Sequence, residues 1–210
     1  GSGNNGIKSN LCSAATMTGM GGSQCAKMTA SSTLGILASG NLFTATFSMK
    51  GTDGTVGFGQ KYNYTARPKG LRFKYHATVG TVDIQKNFGG PIAMGEQDLS
   101  TIYVCIVDWS ARRNVTSGVS KPTGTWDPSV QTDLEGSGRI IAYGVMDISA
   151  STEGESLIGG EIPLVYYDTA CAAPQNSYTL VISCATSKYG DYMNGCSKNV
   201  LYVDDFEWVY

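Results

Sequence analysis

Apolar positions along this chain come in short runs separated by glycine- and hydroxyl-rich breaks, and the runs carry a strand's two-residue period. Leu71-Arg-Phe-Lys-Tyr-His-Ala77 alternates cleanly: Leu71, Phe73 and Tyr75 share one face, Arg72, Lys74 and His76 the other. One face is expected to be core and the other a polar sheet surface. Thr101-Ile-Tyr-Val-Cys-Ile-Val107 lacks alternation, as a central strand covered on both sides would. Further strands are expected at 23–28, 40–48, 140–146 and 162–167, with Pro163 marking an edge or a strand start. The last third reads as a buried strand, Tyr178-Thr-Leu-Val-Ile-Ser-Cys184, a polar-aromatic loop over 185–195, and a closing strand, Val200 to Tyr210. Stretches 83–100 and 108–138 are expected to be long loops, and a helical turn is conceivable only near Ser149 to Glu155. Regularly spaced strands without an internal repeat argue for an all-β, antiparallel two-sheet sandwich of jelly-roll type.

Composition narrows this picture. At 210 residues the chain fits one large β domain over 1–210, with residues 1–6 as flexible linker, and its 27 glycines supply turns. A net charge of −2 argues against a nucleic-acid surface. No apolar run approaches the roughly 20 residues of a membrane span. Of the six cysteines, Cys105 and Cys184 sit inside apolar strands and are expected as buried free thiols. Cys12, Cys25, Cys171 and Cys196 lie near turns and are free to pair, with partners left open. Zinc is a poor fit, because no Cys-x-x-Cys occurs and His76 is the only histidine.

Candidate chemistry centres on sugar recognition, which pairs an aromatic platform with directional polar groups. Lys188, Tyr189, Asp191 and Tyr192 hang together from the closing loop. Asp108-Trp109 emerge at the end of a strong strand, Trp126-Asp127 lie in a long loop, and Arg72, Lys74 and His76 line a polar strand face. The structural alternatives are plain. Lys188–Tyr192 reads equally as a tight turn, with Gly190 at positive φ and Asp191 bonding backbone amides. Arg72, Lys74 and His76 read equally as a solvated face. Hydrolysis would need paired carboxylates; Glu96, Asp98, Asp108, Glu153, Glu155, Glu161 and Asp191 are available, none in a hydrolase signature. A nucleophilic serine has no Gly-x-Ser-x-Gly elbow.

Two segments, Ser187-Lys-Tyr-Gly-Asp-Tyr192 and Leu201-Tyr-Val-Asp-Asp-Phe206, carry a family resemblance. Ser39-Gly-Asn-Leu-Phe-Thr-Ala45, Phe58-Gly-Gln60, Ala66-Arg-Pro-Lys-Gly-Leu71, Phe73-Lys-Tyr75 and Ile102-Tyr-Val104 extend it in order along most of the chain. Together they resemble the putative carbohydrate metabolism domain of exported gut-bacterial proteins, a relative in shape of carbohydrate-binding jelly rolls. The chain departs from that pattern at Gly195-Cys-Ser-Lys-Asn199 and at His76-Ala-Thr-Val-Gly80. The resemblance implies noncovalent glycan binding at a periplasmic or cell-surface location, in a lipoprotein or beside other surface-complex proteins or an upstream domain. Such jelly rolls hold calcium through an Asp of the final strand, which makes Asp204 the candidate ligand of a structural calcium. The expected binding residues are Arg72, Lys74, Asp108, Trp109, Lys188, Tyr189, Asp191 and Tyr192, with an oligo- or polysaccharide as partner and no catalytic residue assigned. A glycoside hydrolase and a structural or protein-binding module are the other function classes.

Overall fold

The structure, a computed structural model, describes residues 11–86, 88–129, 133–134, 138–167 and 174–210. Residues 1–6, expected as linker, and Cys171 lie outside them. The chain runs through β1 (Cys12–Ala15), β2 (Cys25–Thr29), β3 (Ser31–Thr33), β4 (Ile36–Ala38), β5 (Asn41–Phe43), β6 (Ala45–Lys50), β7 (Asp53–Phe58) and β8 (Gly70–Thr78). It continues through β9 (Ser100–Trp109), β10 (Arg113–Ser117), β11 (Asp133–Leu134), β12 (Gly138–Ile148), β13 (Ile158–Pro163), β14 (Val165–Tyr166), β15 (Tyr178–Ala185) and β16 (Val200–Val209). A five-stranded sheet, β1-β2-β16-β8-β13, faces a six-stranded sheet, β11-β12-β9-β15-β5 with β14 added beside β12. A three-stranded sheet, β10-β7-β6, lies beyond the second of these. Every pairing between these strands is antiparallel, so the all-β sandwich expected from the sequence is the architecture formed.

Alternation along the strands explains the two cores. Leu71 and Phe73 of β8 and Leu201 and Val203 of β16 pack against Ile102, Val104 and Ile106 of β9 and Leu180 and Cys184 of β15. The odd-numbered residues of β9, Cys105, Val107 and Trp109, point the other way and form a second core with Phe43, Phe58, Val115 and Val181. The central strand is therefore covered on both sides, as its unbroken apolar run implies. Pro163 ends β13, an edge strand, where its missing N–H costs no ladder bond. Phe73 and Trp109 are almost wholly enclosed, at 1% and 0% exposure; truncating either to alanine is expected to cost about 3–5 kcal/mol.

Three expectations are corrected. Segment 108–138 is not one loop: β9 extends to Trp109, and β10 pairs with β7 to build the third sheet. Residues 149–155 bend without forming a helix, and Ser151 and Thr152 instead cap the end of β8 through Val79 N–H and Ala77 N–H. Cys12, Cys25 and Cys196 are free thiols, as are the buried Cys105 and Cys184.

Candidate functional site

The outward face of the six-stranded sheet is covered over only part of its length. Under the three-stranded sheet it is core; beyond that cover it opens as a groove of about 670 Å³. Its floor takes the same strand parity as the second core: Thr101 and Tyr103 of β9, Ser183 and Ala185 of β15, and Tyr143 of β12. Residues Thr125–Ser129 form one wall with Phe58 and Val115, and Ser187–Tyr192 form the other with Pro91. Trp126 is wedged edge-on among Phe58, Tyr103 and Trp109, at ring-centroid separations of 6.4, 6.4 and 5.5 Å. That packing fixes a half-buried indole at the groove, with part of its apolar surface left accessible.

The second wall is pinned from beneath by one carboxylate. Asp98 is fully buried, and its Oδ2 accepts bonds from the Ser187 hydroxyl at 2.7 Å, Cys196 N–H at 2.7 Å and the Asn199 amide at 2.8 Å. Its Oδ1 accepts from Leu99 N–H at 2.8 Å. Burial pushes this carboxyl up from its ordinary value, and these four bonds act in the opposite direction. Asn194 adds a second tie, accepting from Lys86 N–H at 2.9 Å. Between these anchors Gly190–Tyr192 make a single 3₁₀ turn, closed by Met193 in the left-handed region at φ 57°. Gly190 is required by space, because a Cβ there would stand 2.7 Å from the Ser39 Cβ. The tight-turn alternative thus holds in part, but the positive φ falls at Met193, and Asp191 bonds no backbone amide among the described residues.

Electrostatically the groove is asymmetric. The Lys188 ammonium is matched by Asp147 Oδ2, while Asp147 Oδ1 accepts from the Thr101 hydroxyl at 2.8 Å. Asp191 has neither a hydrogen bond nor an ion pair among the described residues. It is exposed to the groove, yet surrounding protein displaces much of its water and pushes its carboxyl up to about 6. Burial also raises the Tyr103 and Tyr143 phenols above their usual range, so both stay neutral donors. Asp127, on the opposite wall, accepts from the Ser129 N–H and hydroxyl at 2.9 and 2.6 Å. The arrangement offers fixed rings, neutral hydroxyls and two exposed carboxylates, Asp127 and Asp191. These are the groups that engage a polyhydroxylated ligand.

The model of the putative carbohydrate metabolism domain matches residues 1–209. The chain belongs to that family. Among solved structures, this carbohydrate metabolism domain resembles a putative glycoside hydrolase from Bacteroides thetaiotaomicron, with a TM-score of 0.62 and 19% identity over 95% of the chain. It also resembles a putative glycoside hydrolase from Bacteroides vulgatus, with a TM-score of 0.63 and 18% identity over 95% of the chain. The domain spans 57% of the first structure's length and 77% of the second's. At these identities the likeness establishes a shared fold. No curated protein matches the domain.

Within the domain, the residues expected to bind fall into separate places. Lys188, Tyr189, Asp191 and Tyr192 all line the groove, joined by Trp126 and Asp127. Trp109 does not offer a ring: it is fully enclosed, because its strand parity sends it under the three-stranded sheet. Asp108 is buried and structural, its Oδ1 accepting from Gln175 N–H at 3.0 Å and Asn176 N–H at 2.6 Å. Arg72 and Lys74 lie on the five-stranded sheet, paired with Glu161 at 3.0 Å and Asp205 at 2.9 Å, and do not reach the groove. His76 is buried, its Nδ1 2.6 Å from the Thr152 hydroxyl. At the calcium candidate, Asp204 accepts Gly21 N–H at 3.0 Å and Asp205 is held by Lys74. Among the described residues no three acidic, histidine or cysteine side chains converge on a metal position. Tyr103 and Tyr143 were missed as site residues. Tyr103 shares the outward parity of Cys105 and Val107, which is the one sequence signal that would have found it.

Proposed function

We propose that the groove binds a glycan noncovalently, as an accessory to polysaccharide capture by an exported or cell-surface protein. The observation that carries the reading is the uncovered part of the six-stranded sheet's outer face, where Trp126 and Tyr103 share a groove with Asp191, which has no partner among the described residues. A pyranose ring lies against the indole or against Tyr189, and its hydroxyls bond Asp191, Ser183 and the two floor phenols. Loss of ring hydration at the aromatic surface and charge-assisted bonds to Asp191 supply the affinity. Family membership and the fold shared with putative glycoside hydrolases support this assignment to carbohydrate. The test is a glycan microarray with the purified domain, followed by titration of its best ligand. The Tyr189→Ala and Asp191→Ala double variant is expected to lose binding while keeping the wild-type melting temperature. Unchanged affinity in that variant refutes the site.

A glycoside hydrolase is the second reading, and Asp191 is the observation that favours it. A groove carboxyl raised to about 6 is suited to act as a general acid, and Asp127 lines the same groove. Release of reducing ends from the best array ligand, abolished by Asp191→Asn, would establish it. Ligand recovered intact after prolonged incubation would exclude it for that glycan.

A further inference from the structure

The charges around the groove bear on which glycans it admits. The charged side chains lining it, among the described residues, are Asp127, Lys188 and Asp191. The single cation, Lys188, is already engaged by Asp147, whose second oxygen is held by Thr101. An incoming uronate or sulfate would therefore meet an ammonium whose charge is already offset by a carboxylate anchored from two sides. Asp191 meanwhile presents its negative charge to the groove with no cation beside it among the described residues. The floor adds hydroxyls and phenols, which carry no charge to offset it. Of the arginines, Arg72 is occupied by Glu161 on the other sheet, and Arg112 donates to Gly57 and Gly59 carbonyls behind the second core.

We infer that the groove selects neutral or amino-bearing glycans and rejects those carrying uronate, sialate or sulfate groups. The inference rests on the glycan-binding reading and names the ligand class of that same site. Like charges brought together in a partly desolvated cleft repel strongly, and such repulsion is a common source of specificity. Asp147 and Asp191 are then specificity-determining residues. Asp147 cancels the one charge that would attract an acidic sugar, and Asp191 supplies one that repels it.

The experiment uses polymer pairs that share a backbone and differ in charge: hydroxyethylcellulose against carboxymethylcellulose, and dextran against dextran sulfate. Affinity electrophoresis of the whole domain on these pairs is combined with an array bearing neutral, amino, uronic, sialylated and sulfated glycans. The expected result is binding to at least one neutral or amino glycan, with its acidic counterpart weaker by about tenfold or more. Salt at about 0.5 M should narrow that gap by screening. Asp147→Asn keeps an acceptor for Thr101 but frees Lys188, and should raise affinity for the acidic member. Asp191→Asn should compress the neutral-to-acidic ratio whatever the absolute affinity. Acidic glycans bound as tightly as neutral ones, in wild type at about 0.15 M salt, would overturn this inference and leave glycan binding standing. Binding to no neutral, amino or acidic glycan anywhere in the panel would overturn both.

Discussion

The outer faces of the two large sheets differ less in residue type than in what surrounds each residue. On the five-stranded sheet, Arg72 and Lys74 meet Glu161 and Asp205 across neighbouring strands, so its charges close on one another. On the six-stranded sheet, the third sheet covers one part and leaves a concave remainder, into which Tyr103, Trp126 and Asp191 project. Both faces hold side chains that suit a sugar. Among the described residues, only the second sets a fixed ring and a carboxylate without a protein partner inside one depression. A binding site on a sandwich is thus defined by incomplete coverage of a sheet as much as by residue type.

The largest effect is expected beneath the groove. Asp98→Ala leaves the donors of Ser187, Cys196, Asn199 and Leu99 without their shared acceptor, which should cost about 3 kcal/mol or more of stability and loosen the groove wall. Chemical denaturation reads the first effect, and ligand titration at low temperature reads the second. Next, Trp126→Ala should weaken glycan binding about tenfold to a hundredfold, the loss of one stacking surface and its edge contacts. If calorimetry finds the affinity intact, the indole is packing alone and the comparison between the two faces loses its main term.

A pH series sharpens the role of Asp191. Its carboxyl sits at about 6, so it is ionised at pH 7.5 and mostly protonated at pH 5. Binding should therefore weaken several-fold as pH falls through 6, because a charged acceptor becomes a neutral one. Asp127, the Lys188–Asp147 pair and the neutral Tyr103 and Tyr143 phenols face the same space, and Asp191→Asn should flatten the profile if Asp191 is its source. Unfolding does not mimic this effect. A carboxyl raised above its unfolded value near 4 binds its proton more tightly in the folded chain, so its contribution to stability grows as pH falls from about 6 to 4. A hydrolase would show the reverse dependence, with activity lost above 6 as the general acid ionises. The smallest effect belongs to the other face. Arg72→Ala and Lys74→Ala should each change stability by under about 1 kcal/mol, the usual worth of an exposed pair, and leave glycan affinity unchanged.

Local pattern made much of this fold legible. Alternation in 71–77 placed Leu71 and Phe73 in the core, and the unbroken run at 101–107 marked a strand covered twice. Lys188 to Tyr192 were readable as a unit, since one short turn carries all of them. What sequence withheld came from distant partners. Trp109 is enclosed by strands from 45–58 and 113–117, and nothing local to Asp108-Trp109 announces that cover. Asp108 is consumed by backbone amides of Gln175 and Asn176, and Arg72 by Glu161, in each case across more than sixty residues. Gly190 looked like a positive-φ turn residue, yet its constraint is the approach of Ser39 from a distant loop.

The most direct test of the central claim is a nuclear magnetic resonance titration of the ¹⁵N-labelled domain with the best array glycan. The expected result is saturable shifts at the Trp126 indole, Tyr103, Ser183 and Asp191, with Arg72, Lys74 and Asp204 unmoved. Shifts confined to Arg72, Lys74 and their neighbours on the five-stranded sheet would contradict it and place recognition on the opposite face.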